Sequence, residues 1–405
     1  MKEYTLLFNI RVFSIIILCI AGFGIRFFDF LPVSKTLLYA IFLFVLNYKK
    51  IFKIPFDIWI KFAGICLFFL LFNLLKGASI NYWVLGTWLC ALFVLSNYID
   101  KKYSFQTDFS KVSEIAMYYS LLHIPIMILF SDFLVRTNLG MHPKTFLYLF
   151  YFNNGDGFMG FPRIQGLAWE PSCWNLLLNI NLASYLYRNV GVRKIALNVI
   201  AIISIMSTTG LVVMVVVFYI NYLMNQSRDK VIKKIIIISI FSVMVLPFVM
   251  NALVDKLSNT SGAVRYGDWI TAIAVVKDDP LWGADINNLE RNNVAMTARM
   301  DAYNINGGDY EGYLMMDAGT TSGFANLFIV WGVFFGGLIL CFFIKSPLFE
   351  SRKYAIFFSI AFFCCMLGTP IDATGIFYIF PLSTLLLCGK RKFYFSIMKS
   401  TNIQR

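Results

Sequence analysis

The chain runs repeatedly through uninterrupted apolar stretches, roughly ten to twelve in number and each about 18 to 22 residues long. Each stretch can cross a hydrocarbon core about 30 Å thick. Because the stretches lack the alternating pattern of a membrane β-barrel, we expect helices. With 59% hydrophobic and 14% charged residues, the composition excludes a soluble enzyme, a secreted disulfide scaffold and a disordered tail. The sequence predicts an all-α polytopic membrane protein, with one transmembrane domain over residues 1–405.

About twelve spans can be assigned from these stretches. The polar interruption at 207–210 predicts two short helices around it rather than one long span. The predicted spans are 4–25, 34–48, 56–75, 80–99, 112–135, 170–187, 194–208, 210–225, 234–253, 322–344, 353–368 and 374–389.

The basic residues cluster in short segments between the predicted spans, as at Lys49, Lys50 and Lys53. This positive-inside pattern predicts that both termini are cytoplasmic. The net charge of +13 therefore indicates orientation in a lipid bilayer and not a nucleic-acid partner. All eight cysteines lie within or at the edge of apolar stretches, so neither a disulfide framework nor a metal site is predicted. No phosphate-binding loop or dinucleotide fingerprint occurs, and no cofactor is expected.

Two of the predicted outer segments are long, 136–169 and 254–321, and the others are short. Both are rich in Trp, Tyr, Gly, Asn and Arg and have no low-complexity character. Because long loops in compact proteins are usually functional or disordered, this composition favours ordered and functional segments.

The first outer segment ends at a helix start that carries several polar side chains. Glu170 or Ser172 can cap that helix, and Arg163 precedes it beside Trp169. An electropositive helix start with a nearby arginine is suited to binding an anion, and Asn175 lies on the same helix. The alternative is a structural junction in which the arginine reaches lipid headgroups and the asparagine bonds between helices.

The second outer segment contains a stretch with apolar residues at helical spacing, 265–277, which ends before Pro280. It predicts an amphipathic helix on the outer surface, with Trp269 on its apolar side. Arg265 falls in the first predicted turn, where a cation opposes the helix dipole, so another role is expected for it. A plain interfacial helix is the alternative.

The remainder of this segment holds arginines, acids and tyrosines, a combination suited to sugar and phosphate binding. A solvated charged loop is the alternative. The candidate residues are Arg291, Arg299, Tyr310, Tyr313 and Asp317.

Two ionisable residues lie well within predicted spans, His123 and Lys61. Such residues are functional candidates in a membrane. The alternatives are a neutral histidine bonded to a neighbouring helix and a lysine that extends to the inner surface. Gly332, Gly336 and Gly337 predict a small-residue face for helix packing.

Three groups of motifs follow one another along the two long outer segments and the span after them. Together they resemble the Wzy-type O-antigen polymerases and the related O-antigen ligases. The motifs are Arg163-x-x-Gly166 with Glu170-Pro171, Arg265-x-x-x-Trp269 with Pro280-x-x-Gly283, and Ser322-x-x-x-Asn326 with Gly332.

The resemblance implies a metal-independent glycosyltransferase of the GT-C class in the bacterial inner membrane. Its substrate would be an undecaprenyl-diphosphate-linked oligosaccharide at the periplasmic face, and a chain-length co-polymerase is an expected partner. The functional arginines of the family map to Arg163 and Arg265. The histidine that serves the ligases as a base is missing from 320–323, which favours a polymerase and leaves the base unassigned.

The chemistry agrees with these residues. A lipid diphosphate is already a good leaving group, so the protein must stabilise its charge and position an acceptor hydroxyl. Arginine suits the first task because it stays charged, and Glu170 or Asp317 can accept the hydroxyl proton. The substrate-binding candidates are Trp169, Asn175, Trp269, Arg291, Arg299, Tyr310 and Tyr313. A lipid-linked oligosaccharide flippase, a ligase and a membrane O-acyltransferase are the alternatives.

Overall fold

A computed structural model of the chain describes nine ranges of residues, which include most of the predicted spans and part of the first outer segment. In the helix that begins at Thr260, side chains are described from Asp268 onward. The described residues are 9–23, 35–78, 82–100, 102–137, 143–153, 162–224, 260–284, 322–372 and 374–387.

The described part of the chain is mainly helical. Its helices are α1 (Ile10–Phe23), α2 (Lys35–Ile51), α3 (Phe56–Leu75), α4 (Tyr82–Leu95), α5 (Phe105–Leu129), α6 (Pro171–Tyr187), α7 (Val192–Ser204), α8 (Thr208–Met224), α9 (Thr260–Asp278), α10 (Gly323–Ile344), α11 (Arg352–Met366) and α12 (Gly375–Leu387).

Eleven of the twelve predicted stretches contain a helix in the described part of the chain, and α3, α5 and α10 are long and apolar enough to cross a membrane. The span predicted at 234–253 lies outside the described residues. The bounds predicted for α5, 112–135, were wrong at both ends. Ser104 Oγ accepts the Thr107 N–H at 3.1 Å and caps the helix seven residues earlier, and the helix ends at Leu129. The break predicted near 207 is present, with Met206 at a positive φ of 55° between α7 and α8.

The centre of the bundle is formed by α6 and α12. Every residue of α6 from Pro171 to Leu186 is buried, and it packs against α5, α7, α8 and α11. Almost all of α12 is buried against α1, α4 and α10. Because α6 is enclosed on all sides, its first residues are held by several helices at once, and this is where the first outer segment joins the bundle.

A three-stranded antiparallel sheet lies in the first outer segment, and the sequence did not predict it. Its strands are β1 (Val135–Arg136), β2 (Lys144–Phe146) and β3 (Phe150–Phe152). Strands of two or three residues are too short to show an alternating pattern. The sheet rests on α5, where the buried His123 ring lies 5.0 Å from the Phe150 ring and 5.2 Å from the Phe152 ring.

His123 bonds within its own helix. Its Nδ1 lies 2.8 Å from the carbonyl oxygen of Tyr119, one turn earlier in α5. The predicted hydrogen bond to a neighbouring helix is therefore not made by Nδ1. The His123 ring packs under β3 instead.

Helix α10 is broken at Gly332, which has a φ of 68° and a ψ of 173°. The turn that follows α9 fills the break with main-chain hydrogen bonds. The Val333 N–H donates to the Pro280 carbonyl at 2.9 Å, and the Ala284 N–H donates to the Ile329 carbonyl at 2.7 Å. In an apolar surrounding these groups would otherwise be unpaired, so the turn compensates for the lost helical bonds.

Lys76, at the end of α3, completes this junction. Its Nζ donates to the Val330 carbonyl at 2.8 Å, at the C-terminal end of the first half of α10. A cation at a helix C-terminus also complements the helix dipole. The ammonium lies 4.9 Å from the Phe72 ring centroid, which adds a cation–π contact.

The predicted small-residue packing face on α10 was largely wrong. Gly332 forms the break, and a Cβ there would meet the Leu281 carbonyl oxygen at 2.5 Å. A Cβ at Gly337 would meet nothing within 4 Å. Only Gly336 is tightly packed, and its neighbour is Phe328 of the same helix.

Substitution of Gly332 by alanine should destabilise the protein by about 2 kcal/mol or more, because a positive φ is strained for alanine and the Cβ overlaps the turn. The matched variant Gly337→Ala should keep or slightly raise stability, because alanine favours a helix. Thermal unfolding in detergent measures both. Equal melting temperatures for the two variants would contradict the junction.

Candidate functional site

Arg163 lies on a segment that extends the small sheet. The Asn153 N–H donates to the Arg163 carbonyl at 2.8 Å, and the Gln165 N–H donates to the Tyr151 carbonyl at 3.0 Å. Ile164 between them forms a bridge with Phe152 of β3. The backbone of Arg163 is thus fixed antiparallel to β3, so the position of its Cα, from which the side chain extends, is fixed as well.

The guanidinium of Arg163 is partly buried. Its Nε is inaccessible to solvent and makes no hydrogen bond within the described part of the chain. Burial lowers the pKa of Arg163, and the nearby Glu170 carboxylate opposes that shift. Because arginine remains charged at any working pH, the site holds a partly desolvated cation whose Nε–H has no acceptor among the described residues.

Glu170 is the residue before α6 and has an extended backbone, with Pro171 at the first helical position. The side-chain cap predicted from Glu170 or Ser172 does not form. Instead the Ser172 hydroxyl donates to Glu170 Oε2 at 2.9 Å.

A tight loop holds Arg163 and α6 in fixed relation. Gly166 has a φ of 68° and packs against the Trp174 indole, where a Cβ would overlap the ring. The indole N–H donates to Ser120 Oγ at 2.8 Å. The buried Gln165 side chain donates to the carbonyls of Ala168 and Trp169, at 2.9 and 3.1 Å. The loop is therefore held closed by the Gln165 side chain from within and by the Trp174 indole from α6.

The asparagines of α6 bond between helices. Asn175 is fully buried, and its amide lies 3.5 Å from the Ile202 carbonyl of α7. Asn179 donates to the Gly210 carbonyl of α8 at 3.1 Å. This geometry supports the structural alternative for Asn175. Trp169 is partly buried against the core beside the loop.

The starts of three helices and the turn between α11 and α12 meet at one end of the bundle. Asn175 packs on Gly210 at the start of α8. The Gly323 N–H, at the start of α10, donates to the Thr369 carbonyl of the turn at 3.2 Å. Thr209 of α8 packs against Gly368. The two motif-bearing outer segments therefore attach to one rim, which is formed by the starts of α6, α8 and α10 and by the turn between α11 and α12.

The rim contains a carboxylate that was not among the sequence candidates. Asp372 is 3% exposed, and Asn326 Nδ2 donates to its Oδ2 at 2.6 Å. An aspartate in a short turn between two apolar stretches is a signal that could have drawn notice to it.

The predicted helix of the second outer segment is present as α9, but it begins at Thr260. Arg265 is therefore in the second turn, and the first-turn assignment was wrong. The helix packs on α10, with Ala272 against Ala325 and Ile329, and Trp269 contributes to this contact. Ile273, which the helical spacing places on the same apolar side as Trp269, is 64% exposed, and Ala272 is buried instead.

Several candidates lie outside the described residues, so their positions relative to Arg163 stay predictions. Within the described ranges no three His, Cys, Asp or Glu residues gather as metal ligands. The candidates outside are Arg291, Arg299, Tyr310, Tyr313, Asp317 and the side chain of Arg265.

No protein-family model and no curated protein sequence matches this chain. The resemblance stated from the motif residues therefore stays a prediction. Of these, Pro280, Gly283 and Gly332 are in direct backbone contact. Arg163 and Gly166 lie at opposite ends of one short segment that leads to α6.

Substitution of Gly166 by alanine should reduce stability more than Gly77→Ala does. Both glycines have a positive φ, 68° and 64°, but a Cβ at Gly77 would meet nothing within 4 Å. The Gly77 variant should therefore lose only about 1–2 kcal/mol from strain, whereas the Gly166 variant must also displace Trp174. Thermal unfolding followed by Trp fluorescence compares them, and a larger loss for Gly77→Ala would refute this role of the indole.

Proposed function

We propose that the protein is a membrane-embedded glycosyltransferase that polymerises a surface polysaccharide. It transfers a glycan from undecaprenyl diphosphate to the non-reducing end of another lipid-linked repeat unit at the periplasmic face of a bacterial inner membrane. Both termini are cytoplasmic in this proposal. The observation that carries it is the partly buried guanidinium of Arg163, whose Nε has no partner among the described residues.

A partly desolvated guanidinium is suited to a diphosphate. Arginine binds two phosphate oxygens at once, and these charge-assisted bonds strengthen where water is excluded. As the bond from the anomeric carbon to the diphosphate oxygen breaks, that oxygen takes the electron pair and Arg163 stabilises the added charge. The acceptor hydroxyl oxygen forms the new bond to the same carbon. Arg265 is the second arginine in this proposal.

The hydroxyl proton needs an acceptor, and Glu170 is the carboxylate best situated. It is partly exposed and close enough to Arg163 to affect its pKa. Asp372 is more deeply buried and already accepts from Asn326, which suits it to positioning the rim. Asp317 remains a further candidate.

The other functions have less support. A flippase for lipid-linked oligosaccharides needs a polar path through the bundle, whereas the cavity that Lys61 lines has apolar walls. An acyltransferase would use His123, but that ring is fully buried beneath the sheet. A ligase would differ from a polymerase only in its acceptor.

Arg163→Ala should abolish long glycans in a deletion strain, leaving a single repeat unit instead of a ladder on gels. Loss of one such stabilising donor typically lowers the rate by about 10²–10³. Arg136→Gln is the control, because Arg136 is exposed in the same outer segment. A normal ladder from Arg163→Ala at normal protein level would refute the proposal.

Glu170→Gln tests the proton acceptor separately. It retains the shape of the side chain and should reduce chain growth by about 10²–10⁴ if the carboxylate accepts the proton. Membrane vesicles supplied with lipid-linked repeat units measure this rate. An unchanged rate would exclude Glu170 and leave the arginine role intact.

A further inference from the structure

A groove of about 430 Å³ lies among α3, α4, α10 and α12, away from the site described above. Its walls are apolar, and it extends from Lys61 and Phe342 to Trp88 and Trp331. Gly64 and Phe68 on its α3 side are exposed, so the groove opens sideways, on the flank of the bundle. Trp331 and Phe342 are eleven positions apart on α10, which corresponds to a length of roughly 16 Å.

Aromatic rings close one end of the groove. The Trp88 and Trp331 rings stack with centroids 6.3 Å apart, and Tyr378 meets Trp88 edge-on at 5.5 Å. Phe72 packs on Trp331, with ring centroids 5.3 Å apart, on the side of the α10 break. A long apolar chain that enters the groove would therefore end against these rings.

The opposite end carries a single charge. Lys61 is the one charged residue among the described residues that line the groove. Its Nζ donates to the Leu386 carbonyl at 3.4 Å, and no described carboxylate lies within 4.0 Å of it. An ammonium has three N–H donors, so capacity remains for an anion.

This end of the groove faces the basic end of the bundle. Lys49 and Lys50 are in the last turn of α2, and Lys345 follows the last residue of α10. Basic pockets between membrane helices at that surface are suited to anionic lipid headgroups.

We propose that the groove binds one acyl chain of an anionic phospholipid from the leaflet at the basic end, with the lipid phosphate on Lys61 Nζ. The inference rests on the membrane insertion proposed above and not on glycosyl transfer. A polyprenyl diphosphate fits less well, because its diphosphate belongs with Arg163, beside the first outer segment, while the free charge of the groove is at the basic end.

Native mass spectrometry of the full chain tests this site, with equal amounts of phosphatidylglycerol and phosphatidylcholine in detergent. The wild type should retain one phosphatidylglycerol in preference to phosphatidylcholine. Lys61→Gln should weaken that retention roughly tenfold, as expected for one charge-assisted bond, whereas Lys61→Arg should preserve it. Lys53→Gln is the charge control, since Lys53 is exposed and does not line the groove.

A second variant fills the groove without disturbing the fold. A Cβ at Gly64 would meet nothing within 4 Å, so Gly64→Leu should fold and displace the lipid chain, while Gly337→Leu on α10 should retain it. Unchanged retention by Lys61→Gln or Gly64→Leu, or equal retention of the two phospholipids, would overturn the proposal. Preferential retention of added undecaprenyl phosphate would overturn the choice of lipid. None of these outcomes bears on the glycan ladder.

Discussion

The need to pair main-chain groups in apolar surroundings is the constraint on which this structure depends. Where α10 breaks, the carbonyls of Ile329 and Val330 accept hydrogen bonds from the Ala284 N–H and from Lys76 Nζ. A broken helix inside a bundle is tolerated only when such partners are supplied. The break therefore fixes the turn after α9, and with it the position of the helix that carries Arg265.

The same constraint operates at the start of α6. The segment around Arg163 pairs with β3 through its main chain, and Gln165 satisfies two carbonyls of the loop that follows. These main-chain bonds are satisfied locally, whereas the Arg163 Nε–H has no acceptor among the described residues. Asn179 differs in that its side-chain nitrogen joins α6 to α8, although its Oδ1 also has no partner among the described residues.

Features that depend on a local sequence pattern were predictable, and features that depend on contacts between distant residues were not. Helix positions followed from long apolar stretches, and α3 matches its predicted bounds at Phe56 and Leu75 because both ends are marked by polar or helix-breaking residues. The small sheet was missed because its strands are too short for periodicity to register. The pairing of Gly283 with Gly332 depends on contacts between residues far apart in the chain, which no local pattern reports. Asp372 carried a local signal, its place in a short turn between two apolar stretches, but its contact with Asn326 of α10 joins residues far apart in the chain.

The junction between the turn and α10 has an evolutionary consequence. Both glycines have a positive φ, 67° at Gly283 and 68° at Gly332, and the space where a Cβ would stand at each is occupied by the main chain of the other segment. Neither position can gain a side chain while the other segment stays where it is. In homologous chains that keep this junction, we expect both glycines to be conserved together, whereas the residue at position 337 can vary.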